Sequence, residues 1–389
     1  MYKILTLDKI DPQGLSHFPS ERYETGNQVE DPDAIILRSF NMHNLEIPAR
    51  VKAIARAGAG VNNIPIDVCT KKGIVVFNTP GANANGVKEL VLAGLLLTSR
   101  DIHGGINWAG TLVGQGDQVP ALIEKGKKNY AGNEILGKTL AVIGLGAIGI
   151  LVANTAQMLG MKVIGYDPYI SITQAQKLSD KIFLARSLES AISNADFVTL
   201  NIPLTGETKG YINREKILQM KNGVKILNFA RGELVNNADM SEALDSGKVY
   251  RYITDFPNEE TLKMKNAICI HHLGASTEES ETNCAIMAVD QVREYFERGN
   301  IINSVNFPNV EMEPGGASRI VVANRNVPTM VNQISSVLAK KGINILNMLN
   351  KNKGDIAYNI IDIDTSGVDL SIADELNSID GVFLARIIG

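Results

Sequence analysis

The chain has 389 residues, which is enough for two or three domains, and its 44% hydrophobic and 21% charged residues are ordinary for a globular protein. A formal net charge of −4 argues against nucleic acid or an acidic membrane surface as a partner, because both attract basic proteins. The amino-terminal residues predict a strand rather than a signal peptide, and no apolar run approaches the ~20 residues of a membrane span.

Cysteine usage points to a reducing compartment. The three cysteines, Cys69, Cys269 and Cys284, form no C-x-x-C pair. A sparse, odd set of this kind is typical of reduced thiols in the cytoplasm, and it offers no metal-ligand spacing. We therefore expect a cytoplasmic protein without a metal site.

Strands and helices alternate through most of the chain. The first third contains the short apolar strands YKILTLD, AIILRS, VKAIARAG and GIVVFNTP, followed by a helix through VKELVLAGLLLTSRDIHGGINWAG. The clearest unit comes next, with strand KTLAVIGLG, helix AIGILVANTAQMLG and strand KVIGYDPY. Further repeats follow, and a long helix through TEESETNCAIMAVDQVREYFERGN closes this part. Such alternation predicts parallel sheets covered on both faces.

The last seventy or so residues have a pattern of their own. The stretch NFPNVEMEPGGAS, at 306–318, is rich in Pro, Gly and Asn, and this composition is typical of a linker. After it we expect a strand, a helix, two strands, a helix and a final strand. This βαββαβ order predicts a small ferredoxin-like unit.

A glycine-rich loop in the middle of the chain has the spacing of a dinucleotide site. Gly144, Gly146 and Gly149 stand in G-x-G-x-x-G spacing between a predicted strand and helix, and the next strand ends at Asp167, 18 residues later. The glycines permit a tight turn, close approach of a pyrophosphate and close helix packing, while the helix start offers N–H groups to phosphate. Asp167 can bind ribose hydroxyls and repel a 2′-phosphate, which favours NAD over NADP. The alternative is a glycine-rich turn without a nucleotide.

Candidate catalytic side chains follow three later strands. Arg231 in NFARGELV can hold a carboxylate bidentately, and a histidine in ICIHHLGAST, His271 or His272, can take a hydroxyl proton near neutral pH. Glu259 or Glu260 can support the charged imidazole. Neighbours in an extended segment point to opposite faces, so at most one of the two histidines faces a given cleft.

Each of these side chains alone has a simpler explanation, namely a surface ion pair, a solvated loop or a buried structural histidine. Together, behind a dinucleotide motif and at the carboxyl ends of strands, they favour NAD-dependent oxidation of a 2-hydroxy acid. The chemistry needs an acid/base, a carboxylate anchor and a hydride acceptor, and the chain offers all three.

The motifs GLGAIG with Asp167, NFARGEL, TDF..EE and HLGAST resemble, in order, those of the NAD-dependent D-2-hydroxyacid dehydrogenases. RAGAGVNNIPID and VFNTPGANANGVKEL resemble the substrate-domain motifs of that family, and the carboxyl-terminal βαββαβ unit resembles an ACT domain. The combination is similar to the members that oxidise 3-phospho-D-glycerate to 3-phosphohydroxypyruvate at the start of serine biosynthesis. Alternatives are a reductase of glyoxylate, hydroxypyruvate or 2-ketoglutarate, and an NAD(H)-sensing binding protein.

The resemblance implies an α/β fold with a flavodoxin-like substrate domain, a Rossmann NAD-binding domain and a ferredoxin-like ACT domain. The cleft between the first two domains should close on substrate. The expected boundaries are 1–98 with 286–306 for the substrate domain, 99–285 for the Rossmann domain, 307–317 for a linker and 318–389 for the ACT domain.

The resemblance also distinguishes the two histidines. His272 directly precedes LGAST and takes the acid/base position, whereas His271 stands where the family usually has proline. Asp255 maps to an aspartate that contacts nicotinamide, and the supporting glutamate five residues later is Glu260. Because D-F-P replaces the usual D-V-F, a one-residue slip would make it Glu259 instead.

Further site residues follow from the resemblance. The expected contacts to the cofactor are Gly144, Gly146, Ala147, Ile148, Gly149, Asp167, Pro203, Ala230, Asp255 and Gly274. The expected contacts to the substrate are Arg231 for its carboxylate, and Arg38, Ser39, Arg56, Ala59, Gly60 and Asn83 for its anionic groups. Asn85 lies in the same segment as Asn83. Lys127 and Lys128 either reach a neighbouring subunit's phosphate site or form a solvated charge run.

The carboxyl-terminal unit resembles domains that bind an amino-acid effector at a subunit interface. Asn324, Asn326 and Asn344 match the effector contacts, but Thr329 replaces a glycine, and its Cβ can block both the turn and the ligand. We therefore expect either an effector site or a domain that only pairs with a second copy. A homodimer or homotetramer is implied.

Overall fold

The structure is a computed structural model that describes residues 1–365, 369 and 371–388. The chain divides into two compact units, one formed by Met1–Ala82 together with the residues from Glu281 onward, and the other formed by Asn83–Ser280. Within the described ranges, every helix is too short or too polar to traverse a lipid bilayer.

The first part of the first unit is a parallel sheet with the order β2-β1-β3-β4-β5. This is the flavodoxin-like order, so the predicted fold of the amino-terminal part is confirmed. Strands β3, β4 and β5 are short and largely buried on both faces, as expected for a parallel sheet. The elements are β1 (Tyr2–Thr6), α1 (Pro12–Leu15), β2 (Tyr23–Gly26), β3 (Ala34–Leu37), β4 (Ala53–Arg56), α2 (Ile66–Lys71) and β5 (Val75–Phe77).

The second unit contains a parallel sheet with the order β12-β11-β10-β9-β6-β7-β8, which is the Rossmann order with one added strand. The predicted Rossmann fold is confirmed. The strands are β6 (Thr139–Ile143), β7 (Lys162–Tyr166), β8 (Phe183–Leu184), β9 (Phe197–Leu200), β10 (Val224–Asn228), β11 (Val249–Thr254) and β12 (Ala267–Cys269). The helices are α3 (Ala84–Ser99), α4 (Ile102–Gly110), α5 (Val119–Gly126), α6 (Ala147–Met158), α7 (Ile172–Ala175), α8 (Leu188–Ile192), α9 (Arg214–Gln219), α10 (Asn237–Asp245) and α11 (Glu259–Lys263).

Helix α3 belongs to the second unit, although the sequence placed it at the end of the first domain. Its buried Val91 and Leu95 share a core with Leu140 and Leu227 of the Rossmann sheet. A Cβ at Gly94 would lie 2.8 Å from the ring of Phe229, so α3 approaches the sheet closely. The two units thus divide at 82/83 and 280/281, whereas the predicted boundaries are 98/99 and 285/286. The assignment of substrate, cofactor and effector domains stays a prediction.

The chain returns to the first unit through a long helix and ends in an antiparallel sheet with the order β14-β15-β13-β16. This is the βαββαβ ferredoxin-like topology that the sequence predicts. The elements are α12 (Glu278–Arg293) with a π-helical end at Glu294–Arg298, β13 (Ser318–Arg325), α13 (Met330–Lys340), β14 (Ile345–Lys353), β15 (Ile356–Ile363), α14 (Ser371–Asn377) and β16 (Val382–Ile388).

Both faces of the two central strands of the antiparallel sheet, β13 and β15, are buried within the first unit. Ile320 and Ile361 lie on the face that α13 and α14 cover. Val321 and Tyr358 lie on the opposite face, in the same core as Phe77 of β5 and as the π-helical end of α12. The carboxyl-terminal sheet is therefore packed against the rest of its unit.

The glycine-rich segment before β13 follows β15 closely. Gly315 N–H donates to the carboxylate of Asp362 at 2.8 Å, and Ala317 N–H donates to the carbonyl of Ile363 at 2.9 Å. A Cβ at Gly316 would lie 2.5 Å from that same carbonyl oxygen. Gly316 lies in the segment whose composition predicts a linker, and in the structure it allows the backbone to approach β15 closely.

Three side chains of the antiparallel sheet bind the carbonyl groups at the end of α12. Arg319 Nη1 donates to Arg298 O at 2.8 Å, and Tyr358 Oη donates to Gly299 O at 2.9 Å. Arg386 donates to the carbonyl of Tyr295. The last carbonyls of a helix lack partners inside the helix, so the sheet supplies the capping donors of α12.

Candidate active site

The candidate site residues of the second unit lie at the carboxyl edge of its parallel sheet. Gly144 follows β6, Asp167 follows β7, and Arg231, Asp255 and His272 come after β10, β11 and β12. Ligands of open α/β sheets bind at this edge, where the strand order reverses between β6 and β9. The arrangement in space therefore agrees with the order of the motifs in the sequence.

The three glycines of the loop have separate roles. Gly144 has φ +91°, a conformation that favours glycine, and a Cβ there would lie 2.5 Å from the carbonyl oxygen of Asn201. A Cβ at Gly149 would lie 1.9 Å from the carbonyl oxygen of Gly144. A Cβ at Gly146 would meet no atom of the described chain within 4 Å. Gly146 is thus dispensable for the fold and leaves space open beside the start of α6.

The start of α6 lies at the position where the sequence predicts a phosphate-binding site. Gly146 is the N-cap of this twelve-residue helix and supplies no side-chain capping bond. The first N–H groups of the helix are therefore available to a phosphate group. The carboxylate of Asp167 accepts hydrogen bonds from Leu145 N–H and Tyr169 N–H, both at 2.9 Å, which hold it beside the glycine loop.

Two buried polar atoms at the same edge lack a partner within the described residues. They are Asp255 Oδ1, an acceptor, and Asn201 Nδ2, a donor. Buried polar atoms are normally hydrogen-bonded, so each fits a group that a ligand would supply. A dinucleotide has amide and hydroxyl groups that can serve both atoms, and the residues present fit NAD.

His272 is held by Asp255. The Nδ1 atom of His272 lies 2.8 Å from Asp255 Oδ2, with the aspartate side chain 1% exposed and the histidine side chain 56% exposed. The imidazole also packs against Phe256, with ring centroids 4.5 Å apart. His271 is exposed, and no hydrogen bond of its ring is found in the described chain. Of the two neighbouring histidines, His272 is the one with a fixed orientation.

Arg231 also lies near the ring of Phe256. Its guanidinium carbon is 5.8 Å from the centroid of the Phe256 ring, and Nη1 donates to Ala230 O at 2.6 Å. The carbonyl of Arg231 accepts a 2.8 Å hydrogen bond from Asn228 Nδ2, which fixes the backbone. The arginine side chain is exposed and keeps donors for an anionic ligand.

The two candidate glutamates lie elsewhere. Asn258 and Thr261 form a capping box that begins α11, and both glutamates fall in its first turn. Glu260 Oε2 accepts a 2.7 Å hydrogen bond from Asn237, and Glu259 pairs with Lys263 at 2.5 Å. The expected contact between Glu260 and His272 is not formed in this structure, because Asp255 occupies Nδ1. Glu260 as the supporting carboxylate stays a prediction.

In the first unit, the predicted anion-binding residues form a connected group. Arg38 Nη1 lies 2.6 Å from Glu281 Oε1, and Arg56 Nε donates to Arg38 O at 2.8 Å. Arg56 also donates to Gly60 O, and Ala59 O accepts a 2.6 Å hydrogen bond from Asn78. The backbone N–H groups of Arg38 and Ser39 bind the carboxylate of Asp8.

Sequence reasoning missed Asp8 and Glu281 in this group. Asp8 lies two residues after the end of β1, so a carboxylate just past a parallel strand was an available signal. Glu281 had no comparable signal, because its partner Arg38 is far away in the sequence.

The other predicted contacts are more scattered. Asn83 is the N-cap of α3 and makes no side-chain capping bond. Asn85 Nδ2 donates to Glu89 Oε1 at 2.9 Å, and Pro203 O accepts a hydrogen bond from Thr208 Oγ1.

Ala147 and Ile148 form the first turn of α6, Ala230 is half-buried and Gly274 is buried. Lys127 is paired with Glu124 and Lys128 is exposed, as in a solvated charge run.

The predicted effector residues are engaged within the antiparallel sheet or exposed. Asn324 is buried, donates to Arg325 O and accepts from Asn359 at 2.8 Å. Asn326 donates to Gly354 O at 3.2 Å, and Asn344 is exposed. Thr329 has φ +74°, so the turn forms in the left-handed conformation despite its Cβ. Whether the unit binds an effector stays a prediction.

The described residues contain no cluster of three or more histidine, cysteine or carboxylate side chains that could hold a metal ion. At the carboxyl edge of the Rossmann sheet the structure offers an oriented histidine, a buried carboxylate, an arginine and a glycine loop that fits a dinucleotide.

Comparisons with known proteins agree with this geometry. Residues 98–274 match the family model for the D-isomer specific 2-hydroxyacid dehydrogenase, NAD binding domain. The match covers most of the second unit, including the glycine loop, Arg231 and His272. This part of the chain is an NAD-binding domain.

Several relatives of the chain are named for one activity. It is 35% identical to the D-3-phosphoglycerate dehydrogenase of Methanocaldococcus jannaschii over 302 residues, which cover 74% of this chain and 54% of that protein. It is 29% identical to the D-3-phosphoglycerate dehydrogenase of Haemophilus influenzae over 385 residues, which cover 94% of this chain and 88% of that protein. The chain thus spans about half the length of the archaeal relative.

A solved structure extends the likeness to three dimensions. The NAD⁺-bound 3-phosphoglycerate dehydrogenase of Entamoeba histolytica has a TM-score of 0.60 and 27% identity to this chain. The aligned region covers 78% of this chain and 98% of that one.

Proposed function

We propose that this chain, which belongs to the family of D-isomer specific 2-hydroxyacid dehydrogenases, oxidises 3-phospho-D-glycerate to 3-phosphohydroxypyruvate with NAD as cofactor. The observation that carries the proposal is His272 held by the buried Asp255 at the sheet edge where the dinucleotide loop opens. The relatives named for this activity support the choice of substrate. The reaction would begin the phosphorylated route to serine.

His272 is the acid/base of the proposed reaction. An ionised carboxylate only accepts hydrogen bonds, so Nδ1 of His272 carries the proton that Asp255 binds, and Nε2 is left to accept a proton from the substrate hydroxyl. When bound, NAD supplies the hydride acceptor. The hydroxyl proton moves to Nε2 as the C2 hydride leaves, and the C–O bond becomes a carbonyl. Asp255 then stabilises the imidazolium.

Arg231 is the proposed anchor of the substrate carboxylate. Its guanidinium offers parallel N–H donors that match a carboxylate, and its backbone is fixed by Asn228. Arg38, Ser39, Arg56, Ala59, Gly60 and Asn83 as contacts to the anionic groups of the substrate stay predictions. So do Glu260 as a second carboxylate near the histidine, and an amino-acid effector at the carboxyl-terminal sheet.

The proposed setting is a cytoplasmic homodimer or homotetramer. Cys69, Cys269 and Cys284 are free thiols in the structure, which supports a reducing compartment. Size-exclusion chromatography with light scattering checks the assembly.

Formation of NADH from NAD and 3-phosphoglycerate, with the product removed by a coupled reaction, tests the proposal. We expect turnover by the wild type and its loss in His272→Gln, with His271→Gln as the matched control that keeps activity. Turnover only of an acid without phosphate would indicate another dehydrogenase of the family. NADH binding without turnover of any acid would favour an NAD(H)-sensing protein.

A further inference from the structure

The loop that carries Arg38 has a fixed backbone. Arg38, Ser39 and Phe40 donate their N–H groups to one oxygen of Asp8, at 2.7, 2.9 and 2.9 Å. On the other side, Asn63 Nδ2 donates to the carbonyls of Arg38 at 3.2 Å and Phe40 at 2.8 Å. Three consecutive N–H groups around one carboxylate oxygen hold the loop in a single conformation. Any motion of the Arg38 guanidinium therefore comes from its side chain.

The helix that carries Glu281 is fixed as well. Thr282 Oγ1 donates to Asp11 Oδ2 at 2.7 Å, and Asp11 also caps α1. α1 packs against α12 so closely that a Cβ at Gly14 would lie 2.5 Å from the Cβ of Ala285. The backbone of Glu281, one residue before Thr282, is thus held relative to the Arg38 loop.

Between these two fixed segments, Arg38 and Glu281 form an ion pair of 2.6 Å, with side chains 32% and 45% exposed. A pair with this exposure is weak, because water and salt screen it. An incoming anion can therefore replace the carboxylate on the guanidinium. Until that exchange happens, the pair has no net charge, and Glu281 repels any anion that approaches Arg38.

We infer that Glu281 is a counter-ion of Arg38 that the phosphate group of the substrate displaces, and that this competition weakens the binding of the phosphate group. A doubly charged phosphate competes with a carboxylate for a guanidinium, whereas a neutral end of the same molecule does not. The pair therefore lowers the affinity for acids that carry a phosphate group at this end, and it leaves the affinity for acids with a neutral end unchanged. This inference rests on the proposed function.

Calorimetric titration measures the effect without turnover. The protein is loaded with NADH and titrated with 3-phosphoglycerate or with D-glycerate, so that both reactants are reduced and no reaction occurs. In Glu281→Gln the dissociation constant for 3-phosphoglycerate should fall about two- to tenfold, the scale of a half-exposed charge interaction, and this change should shrink at high salt. The constant for D-glycerate should stay unchanged.

Glu279→Gln is the matched control, since it removes the same charge from the same helix two residues earlier. It should leave both constants unchanged. Glu281→Ala should act in the same direction as Glu281→Gln, and it replaces that variant if the latter does not fold. An unchanged or raised constant for 3-phosphoglycerate, an equal fall for both ligands, or an equal effect of Glu279→Gln would overturn the inference.

Turnover measured beside the titration separates the two claims. If the wild type binds 3-phosphoglycerate but does not oxidise it, the proposed function is contradicted. The role of Glu281 is then still tested by the change in dissociation constants in Glu281→Gln. A wild type that oxidises it, with constants that Glu281→Gln does not change, contradicts only the inference.

Discussion

Asp255 Oδ2 lies 2.8 Å from His272 Nδ1, and the carboxylate is buried while the imidazole is half-exposed. A buried acceptor of this kind does two things to a histidine. It selects the tautomer with the proton on Nδ1, and it fixes the plane of the ring. The exposed part of the imidazole is then oriented before any substrate arrives.

Replacing Asp255 by asparagine should lower kcat by at least about tenfold, because an amide permits the wrong tautomer and stabilises the imidazolium less well. Steady-state kinetics with 3-phosphoglycerate measure the change. Glu260→Gln is the comparison that matters here. A larger loss in Glu260→Gln than in Asp255→Asn would mean that the glutamate, not the aspartate, supports His272 during turnover.

Alanine at Gly146 and alanine at Gly149 should separate cofactor binding from folding. Gly146→Ala places a methyl group in open space beside the start of α6, so the thermal midpoint without cofactor should not change, while the dissociation constant for NADH rises about tenfold or more. Gly149→Ala forces a methyl group against the carbonyl of Gly144 and should cost about 1–3 kcal/mol of stability without any cofactor. Thermal unfolding and fluorescence titration measure the two effects. Equal behaviour of both variants would contradict the separate roles.

Asp196 should make the stability of the second unit depend on pH. Burial alone would raise its pKa, but hydrogen bonds from Thr139 N–H and Lys221 Nζ hold the pKa below the usual value of 3.8. A carboxyl group with a lowered folded-state pKa stabilises the fold above its unfolded pKa, and this contribution is lost as the pH falls through the folded value. Asp196→Asn should therefore cost about 1–2 kcal/mol at neutral pH and progressively less between about pH 5 and pH 3.

The thermal midpoints of wild type and Asp196→Asn across this pH range check the sign. Asp180→Asn, at an exposed carboxyl group of the same unit, should show no such trend. A difference that grows on acidification would be the wrong sign for a lowered pKa.

Thr329 should be a site where glycine stabilises the protein. Its φ of +74° costs a residue with a Cβ about 1–2 kcal/mol, part of which is offset by the greater freedom of glycine in the unfolded chain. Thr329→Gly should therefore gain about 0.5–1 kcal/mol, seen as a higher midpoint in urea or heat. Thr329→Ala keeps the Cβ and removes the hydroxyl and the γ-methyl group, so it should show no gain. A gain in the alanine variant would attribute the effect to these side-chain groups and not to the backbone conformation.

Features of the structure that depend on the local spacing of residues could be predicted from the sequence. The glycine loop and Asp167 belong to one strand–helix–strand unit, so their positions follow from a few consecutive elements. The same holds for the placement of Arg231 and His272 just past strands, because the carboxyl ends of parallel strands meet at one edge of the sheet. The alternation of strands and helices was enough to predict both parallel sheets and the βαββαβ unit.

The sequence did not predict contacts that depend on side-chain direction or on distant segments. Asp255 and Glu260 both lie near the end of β11, and only the capping box that begins α11 directs the glutamate to Asn237. Asp8 and Glu281 meet Arg38 across large sequence separations, where periodicity carries no information. The division at 82/83 groups helix α3 with the Rossmann sheet, whereas the predicted boundary at 98/99 places it in the first domain. The sequence does not distinguish the two, because an apolar helix can pack on the sheet that precedes it or on the sheet that follows it in the chain.

The segment at 313–317 is rich in Pro and Gly, a composition that is typical of sites where proteins are truncated. Proteases cleave such segments when they are exposed and mobile. Here Gly315 and Ala317 are bonded to β15, and the sheet beyond them donates the hydrogen bonds that close the end of α12. A fragment that stops before β13 loses those donors and leaves an apolar face around Tyr295 and Phe77 open to water. Cutting the chain in this segment would thus yield an aggregation-prone product in place of a smaller stable protein.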